Sequence, residues 1–281
     1  DKVGTLAAWA AAFGYYAQLY FDFSGYSDMA LGSARMLGIV LPINFASPLK
    51  ADSISDYYKR WHVTLTRVIA RFLYTPLSLW GARVAARYIG WRPLRRFPLI
   101  WLPLLANFMV IALWHGAAET FLLFGLLHGL WYVLETEIRQ SAAWRWWRAR
   151  VPAPRRVVLG KLVLTVPMVI TFTLFRADSI ETWQAMLGAM FALPSAARPE
   201  EVHALAIAFA VVSLCWVLPN VYEVTRDHKP AIFTWSYPPA GGALGQLAWQ
   251  PSLAWGAVTA GALVATLYFV GRLPPFLYLG F

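Results

Sequence analysis

The chain is 281 residues long, 59% hydrophobic and 14% charged, with a formal net charge of +10. Soluble domains carry about 25% charged residues, so this composition excludes an ordinary water-soluble fold. The basic excess lies between apolar runs, where membrane lipids with anionic headgroups account for it and nucleic acid does not. The lone Cys215 allows neither an internal disulfide nor a thiolate metal site.

Six stretches are apolar for long enough to cross a hydrocarbon core, which takes about 20 residues. In chain order they run from Val3 to Phe21, Leu99 to Trp114, Thr120 to Leu134, Val157 to Phe175, Ala204 to Tyr222 and Ser252 to Gly271. Many of the Trp and Tyr residues sit near the ends of these runs, where amphipathic rings favour the headgroup zone. These features predict an all-α fold, a polytopic transmembrane helical bundle, with residues 1–281 forming a single integral membrane domain. No signal peptide, internal repeat or low-complexity tract is visible.

After the first run, Pro42 and Pro48 punctuate an irregular stretch, which at membrane depth must be buried in protein or face water. Ser53-Ile54-Ser55-Asp56 then has the pattern of a capping box and predicts a helix start, with Ser53 accepting from the first-turn amides. Ile54, Tyr57, Tyr58, Trp61, Leu65, Ile69 and Phe72 follow at helical spacing, interleaved with Asp56, Lys59, Arg60, Arg67 and Arg71. That pattern predicts one amphipathic helix, lying in the interface or dipping into the membrane, which Pro76 should end.

Arg83, Arg87, Arg92, Arg95 and Arg96 precede the second run, while Arg139, Arg145, Arg148, Arg150, Arg155 and Arg156 follow the third. If these two runs form a hairpin, both basic segments fall on one side. The positive-inside rule makes that side cytoplasmic and turns the tip at Gly116 to Glu119 outward. Ser179 to Leu193 reads as a second amphipathic piece along the outer surface. The Pro- and Gly-rich stretch from Glu223 to Gln250 reads as connection only.

An ionisable side chain at membrane depth costs a few kcal/mol or more, so each one in an apolar run is a functional hypothesis. His115 ends the second run, and His128 lies within the third, about 15 Å in from the turn at about 1.5 Å per residue. A neutral imidazole is the natural general base near pH 7. The same placement also fits a structural histidine bonded to a neighbouring helix. His62 borders the apolar stripe of the amphipathic helix, and His203 and His228 read as solvated. Asp22 and Asp28 flank Phe23-Ser24-Gly25-Tyr26-Ser27; they suit either ion pairs with Arg35, Lys59 or Arg60 or, with Tyr26, Asn44 and His128, a polar substrate path. No GxSxG elbow, Walker loop, HExxH or dinucleotide fingerprint is present, against serine-hydrolase, NTPase and zincin chemistry.

Tyr20-Phe21-Asp22-Phe23-Ser24-Gly25-Tyr26-Ser27-Asp28-Met29-Ala30, then Asn44-Phe45, Arg60-Trp61-His62 and Leu113-Trp114-His115-Gly116-Ala117 together resemble the membrane-bound O-acyltransferase family. The bacterial branch, of alginate O-acetylation and teichoic acid D-alanylation proteins, is the most similar. Thr173-Leu174-Phe175-Arg176-Ala177-Asp178 also looks like that branch. The match runs in order from about Gln18 to Phe191.

The resemblance implies a multi-helix inner-membrane enzyme in which His115 is the catalytic histidine and His62 a second one tied to activity. It implies a cytoplasmic thioester donor, acetyl-CoA or another acyl thioester, with no metal, and a hydroxyl acceptor: an exported polysaccharide, reached through a periplasmic acyltransferase. It also implies further N-terminal spans beyond this chain. Lipid or protein acceptors, as in other branches, and a non-catalytic transporter or scaffold are the alternatives. The chain departs from the branch at Ala70-Arg71 and Ser78-Leu79, where an Arg-Asp pair and a Gly-Gly are usual, and at Glu119, where a tryptophan is usual; these changes bear on the acceptor.

Overall fold

The computed structural model describes residues 3–193, 197–228, 230–232 and 247–269. Among them every regular element is helical, and the sole strand-like feature is an isolated bridge between Pro42 and Ile232. The chain is an all-α membrane helical protein, as its composition requires. It divides into two compact units, one built from Asp1–Gln18 and Asn44–Ser213, the other from Leu19–Ile43 and Leu214–Phe281.

The first unit is organised around a helical hairpin. Helices α5 (Leu102–His115) and α6 (Glu119–Gln140) pack along their length, because two glycines four residues apart let the backbones approach. A Cβ on Gly125 would lie 2.7 Å from both the Ala112 Cβ and the Phe108 carbonyl oxygen, and one on Gly129 would lie 3.1 Å from Leu105. At the open end of the hairpin, Arg96 donates to Glu137 at 2.7 and 2.9 Å and the Trp101 indole donates to the same oxygen at 2.8 Å. The basic segments before α5 and after α6 therefore share one end, as expected of a hairpin, while His115 closes α5 at the other.

Phe97–His115, Glu119–Gln140 and Ala153–Phe175 are long and apolar enough to cross a membrane. The first comprises a π-helical turn, Phe97–Trp101, leading into α5. The third is α8 (Ala153–Phe172), followed by a 3-10 turn. Between α6 and α8 lies α7 (Ala142–Arg150), which carries three tryptophans and three arginines. Of the other apolar runs, the first lies in the 32-residue α1 (Thr5–Met36). The fifth falls mainly in α10 (Pro199–Leu214), and the last in α12 (Leu253–Phe269), with its final residues outside the described ones. The amphipathic piece after α8 is α9 (Ile180–Met190), N-capped by Ser179.

The single amphipathic helix expected between α1 and α5 is instead four pieces. α2 (Ile54–Arg60) begins as the capping box predicts, with Ser53 Oγ accepting from the Asp56 amide at 3.2 Å. A second cap comes from α6: Glu135 accepts from the Ile54 amide at 2.8 Å and from the Ser55 hydroxyl at 2.9 Å, placing a carboxylate at the positive helix end. The chain breaks at Trp61-His62, resumes as α3 (Val63–Ile69), passes through a π-helical turn at Ala70–Tyr74 and continues as α4 (Thr75–Tyr88). Pro76 thus does not end the helix. It occupies the first turn of α4 directly after the π-helical turn, where the widened backbone accommodates a residue without an N–H. Asp56 pairs with Arg60 at 2.9 Å within α2.

In the second unit, the Tyr222 hydroxyl of α11 (Val221–Val224) donates to Asp28. Ile232 donates to Leu41 at 2.9 Å and accepts from Ile43 at 3.2 Å. Much of Glu223 to Gln250, expected as connection, lies outside the described residues.

The hairpin contact yields a prediction for the full-length protein in detergent. Gly125→Ala drives a methyl into backbone and should lower stability by about 1–3 kcal/mol. Gly14→Ala, where nothing lies within 4 Å, should be neutral or raise it by about 0.5–1 kcal/mol. Thermal unfolding of the two variants side by side checks this.

Candidate active site

Two of the residues singled out in the sequence, Asn44 and His62, meet in the first unit, and one carboxamide oxygen sets their geometry. Asn44 Oδ1 accepts from the Thr64 hydroxyl at 2.9 Å and faces the Thr64 amide at 3.4 Å, while the Asn44 carbonyl accepts from the Val63 amide at 2.9 Å. A backbone N–H can only donate, so the side-chain atom facing it is the amide oxygen. His62 Nδ1 stands 3.0 Å from that oxygen and must therefore carry the ring proton. Nε2 is left as the acceptor nitrogen of the ring.

His62 achieves this from a left-handed backbone, φ 45° and ψ 52°, which a non-glycine residue adopts at some cost and which marks a constrained site. The break at residue 62 turns its side chain out of the periodic stripe to which its neighbours belong. Phe45 stacks on the ring with centroids 6.4 Å apart. Burial lowers the His62 pKa to about 4, and a charge on His115 lowers it further, so the two imidazoles lie within electrostatic reach of each other.

His115 is the last residue of α5. The helix stops there because Gly116 takes φ 140°, a conformation L side chains rarely adopt, and a Cβ at that position would lie 3.2 Å from the Phe121 ring. The imidazole packs edge-on against Phe175 at 4.8 Å and lies 6.0 Å from Phe121. It is half-buried, at the tip of the hairpin.

His128 has a different setting. It is 0% exposed, with Nδ1 2.6 Å from the Tyr58 hydroxyl and Nε2 2.7 Å from the Thr171 hydroxyl. Thr171 donates its own proton to the Pro167 carbonyl at 2.8 Å, so it accepts from His128 Nε2–H, and Nδ1 accepts from Tyr58. Both nitrogens of a neutral ring are engaged, and this geometry fits a clamp between α2, α6 and α8. Asp28 and Tyr26 belong to the second unit, Asp28 bonded to Tyr222 and Tyr26 exposed. Among the described residues no group of three or more His, Cys, Asp or Glu is placed to hold a metal ion.

Two polar residues with evident roles, Glu135 and Thr171, carried no expectation from sequence, and neither did Asn107, which lines a cavity beside Tyr58. Asn107 is the one that a sequence signal marks, a carboxamide in the middle of an apolar run. Glu135 and Thr171 have no local pattern, because their partners lie 81 and 43 residues away.

Comparison with known proteins places these residues in context. The family model for MBOAT, the membrane-bound O-acyltransferase family, matches residues 3–159. Among curated proteins, the chain is 36% identical over 196 residues to a peptidoglycan O-acetyltransferase of Helicobacter pylori, covering 69% of this chain and 34% of that protein. It is 33% identical over 221 residues to a protein named "Probable alginate O-acetylase" of Azotobacter vinelandii, covering 78% and 40%. It is 28% identical over 160 residues to a teichoic acid D-alanyltransferase of Bacillus subtilis, covering 54% and 36%. The chain thus spans about a third to two fifths of the length of these relatives.

The Asn44 geometry is checked by nitrogen-15 NMR of histidine-labelled protein. His62 should appear as the neutral Nδ1–H tautomer at pH 5.5, because its lowered pKa keeps the neutral form until the pH falls through about 4. A doubly protonated His62 at pH 5.5 would contradict the geometry. Asn44→Ala should randomise the tautomer and lower stability by about 1–3 kcal/mol, since it leaves partly buried donors without an acceptor.

Proposed function

The chain belongs to the membrane-bound O-acyltransferase family, and from that premise we propose that it forms the active-site part of an enzyme that acylates an exported polysaccharide. The acyl group, acetyl in this reading, comes from a cytoplasmic thioester donor, acetyl-CoA. It passes to a hydroxyl, with a periplasmic acyltransferase as the partner that completes delivery to the polymer. The protein crosses the inner membrane several times. The supporting observation is that His62 and His115 both stand at helix breaks, His62 held by Asn44 and within reach of the His115 charge.

In this mechanism His115 acts as general base. It removes the proton of the acceptor hydroxyl, the oxygen attacks the thioester carbonyl carbon, and the tetrahedral intermediate collapses with cleavage of the C–S bond. The leaving thiolate takes the proton back from the His115 imidazolium, so the enzyme ends as it began, with an ester and a free thiol as products. His62, holding its proton at Nδ1 toward Asn44, presents Nε2 as an acceptor that orients the incoming hydroxyl. This tautomer does not suit His62 to donate to an oxyanion. Burial, with a smaller effect of a charge on His115, favours the neutral form of His62. No step requires a metal.

The acceptor class follows the names of the relatives, which specify peptidoglycan, alginate and teichoic acid. All three are polymers. The basic segments at the open end of the hairpin support a cytoplasmic face there and an outward-facing His115.

The test is polymer acetylation in cells carrying the full-length protein, with variants matched for amount in the membrane. His115→Ala should reduce acetylation by about 10²–10⁴-fold, the usual contribution of a general base, and His62→Ala should reduce it less. Acetylation that persists at the wild-type level in His115→Ala would remove the catalytic assignment and favour a transporter or scaffold.

A further inference from the structure

Helix α7 joins the end of α6 to the start of α8, two segments long and apolar enough to span, so it lies at the membrane surface at the open end of the hairpin. It holds Trp144, Trp146 and Trp147 beside Arg145, Arg148 and Arg150, and Arg139, Arg155 and Arg156 flank it. Between Glu137 and Asp178 the chain has no acidic residue. The basic segment therefore brings no carboxylate of its own.

Its arginines bond mainly to backbone. Arg145 donates to the Gln140 carbonyl at 2.8 Å, Arg150 to the Trp146 carbonyl at 3.4 Å, and Arg156 to the carbonyls of Arg148 and Val151, both at 2.6 Å. Only Arg139, among the described residues of this segment, meets a carboxylate, Glu135 at 3.1 Å, and it also lies over the Trp144 ring at 5.2 Å. The Arg148 and Arg155 side chains are exposed and have no hydrogen-bond or ion-pair partner among the described residues. Arg155 stands in the first turn of α8, where the helix dipole disfavours a cation and no acidic residue offsets it. The complement of this surface is an anion from outside the fold.

The tryptophans select its source. Trp144 and Trp147 are half-buried with ring centroids 4.7 Å apart, while Trp146 is 58% exposed beneath the Arg150 guanidinium at 4.2 Å. An indole favours the headgroup zone of a bilayer, and a guanidinium takes phosphate oxygens in pairs. An acidic soluble protein would give the exposed indole no such layer to enter. We propose that α7 and the start of α8 form a docking surface for anionic phospholipid, with Arg148 and Arg155 holding the headgroup phosphate and Trp146 set beside it in the interface. Because Arg139 links Trp144 to Glu135, the carboxylate that caps α2, a lipid seated on α7 also steadies the helix that precedes His62.

The test is native mass spectrometry of the full-length protein in detergent, titrated with phosphatidylglycerol or with phosphatidylcholine. The wild type should bind phosphatidylglycerol about 30-fold more tightly, which is about 2 kcal/mol for two arginines. Arg148→Ala/Arg155→Ala should abolish that preference while unfolding thermally as the wild type does, since both side chains are exposed and unpaired. Inorganic phosphate in excess should leave the lipid bound. Arg83→Ala/Arg87→Ala, in the basic segment before α5, should keep the preference. His115→Ala should keep it too, so failure of the catalytic assignment would leave this surface standing. A preference that survives Arg148→Ala/Arg155→Ala overturns the inference, as does one lost equally in Arg83→Ala/Arg87→Ala, one lost together with stability, or displacement by inorganic phosphate. Equal affinity of the wild type for the two lipids overturns it as well and leaves an acidic protein as the occupant.

Discussion

The chain from the Tyr58 hydroxyl through His128 and Thr171 to the Pro167 carbonyl is the constraint around which the first unit is built. In an apolar interior every polar group must find its partner within the protein. An imidazole with no exposure is tolerable there only if both nitrogens are bonded, and satisfying them ties together α2, α6 and α8. Phe108, Phe124 and Phe172 pack around the ring, Phe124 stacked with centroids 4.0 Å apart. The clamp holds α2 one turn before the break at which His62 emerges. A position in the break is thereby fixed by a bond in the core.

The helical backbone is interrupted at several places, two of them at the candidate site, His62 and Gly116. A left-handed His62, an extended Gly116 at positive φ and π-helical turns at Ala70–Tyr74 and Phe97–Trp101 all interrupt helices that would otherwise run on. Each interruption re-aims side chains that a regular helix would leave on its periodic face. The backbone N–H groups released at the His62 break need substitutes, and Asn44 supplies two, its side-chain oxygen to Thr64 and its own carbonyl to Val63. Departures of this kind gather where function requires a set geometry. The cavity beside Tyr58 lies against the same interruptions, bounded by Thr66, Ala70 and Tyr74 on their side of the wall.

The sequence by itself determined the membrane class, the α5–α6 hairpin with its basic open end, the Ser53 cap and the place of His115 at the tip. These follow from composition, apolar run length and signals within one turn of helix, which act locally and need no knowledge of partners. His62 and Asn44 were legible through the family resemblance in their motifs, and the mid-run position of Asn107 was there to be read. Only the tertiary structure decided that the amphipathic segment breaks at His62, that Pro76 begins a helix instead of ending one, which nitrogen of His62 holds the proton, and that His128 is clamped while Asn107 faces a cavity. Those outcomes depend on which oxygen or carboxylate arrives from a segment 18 to 81 residues away, and periodicity along the chain carries no record of that approach.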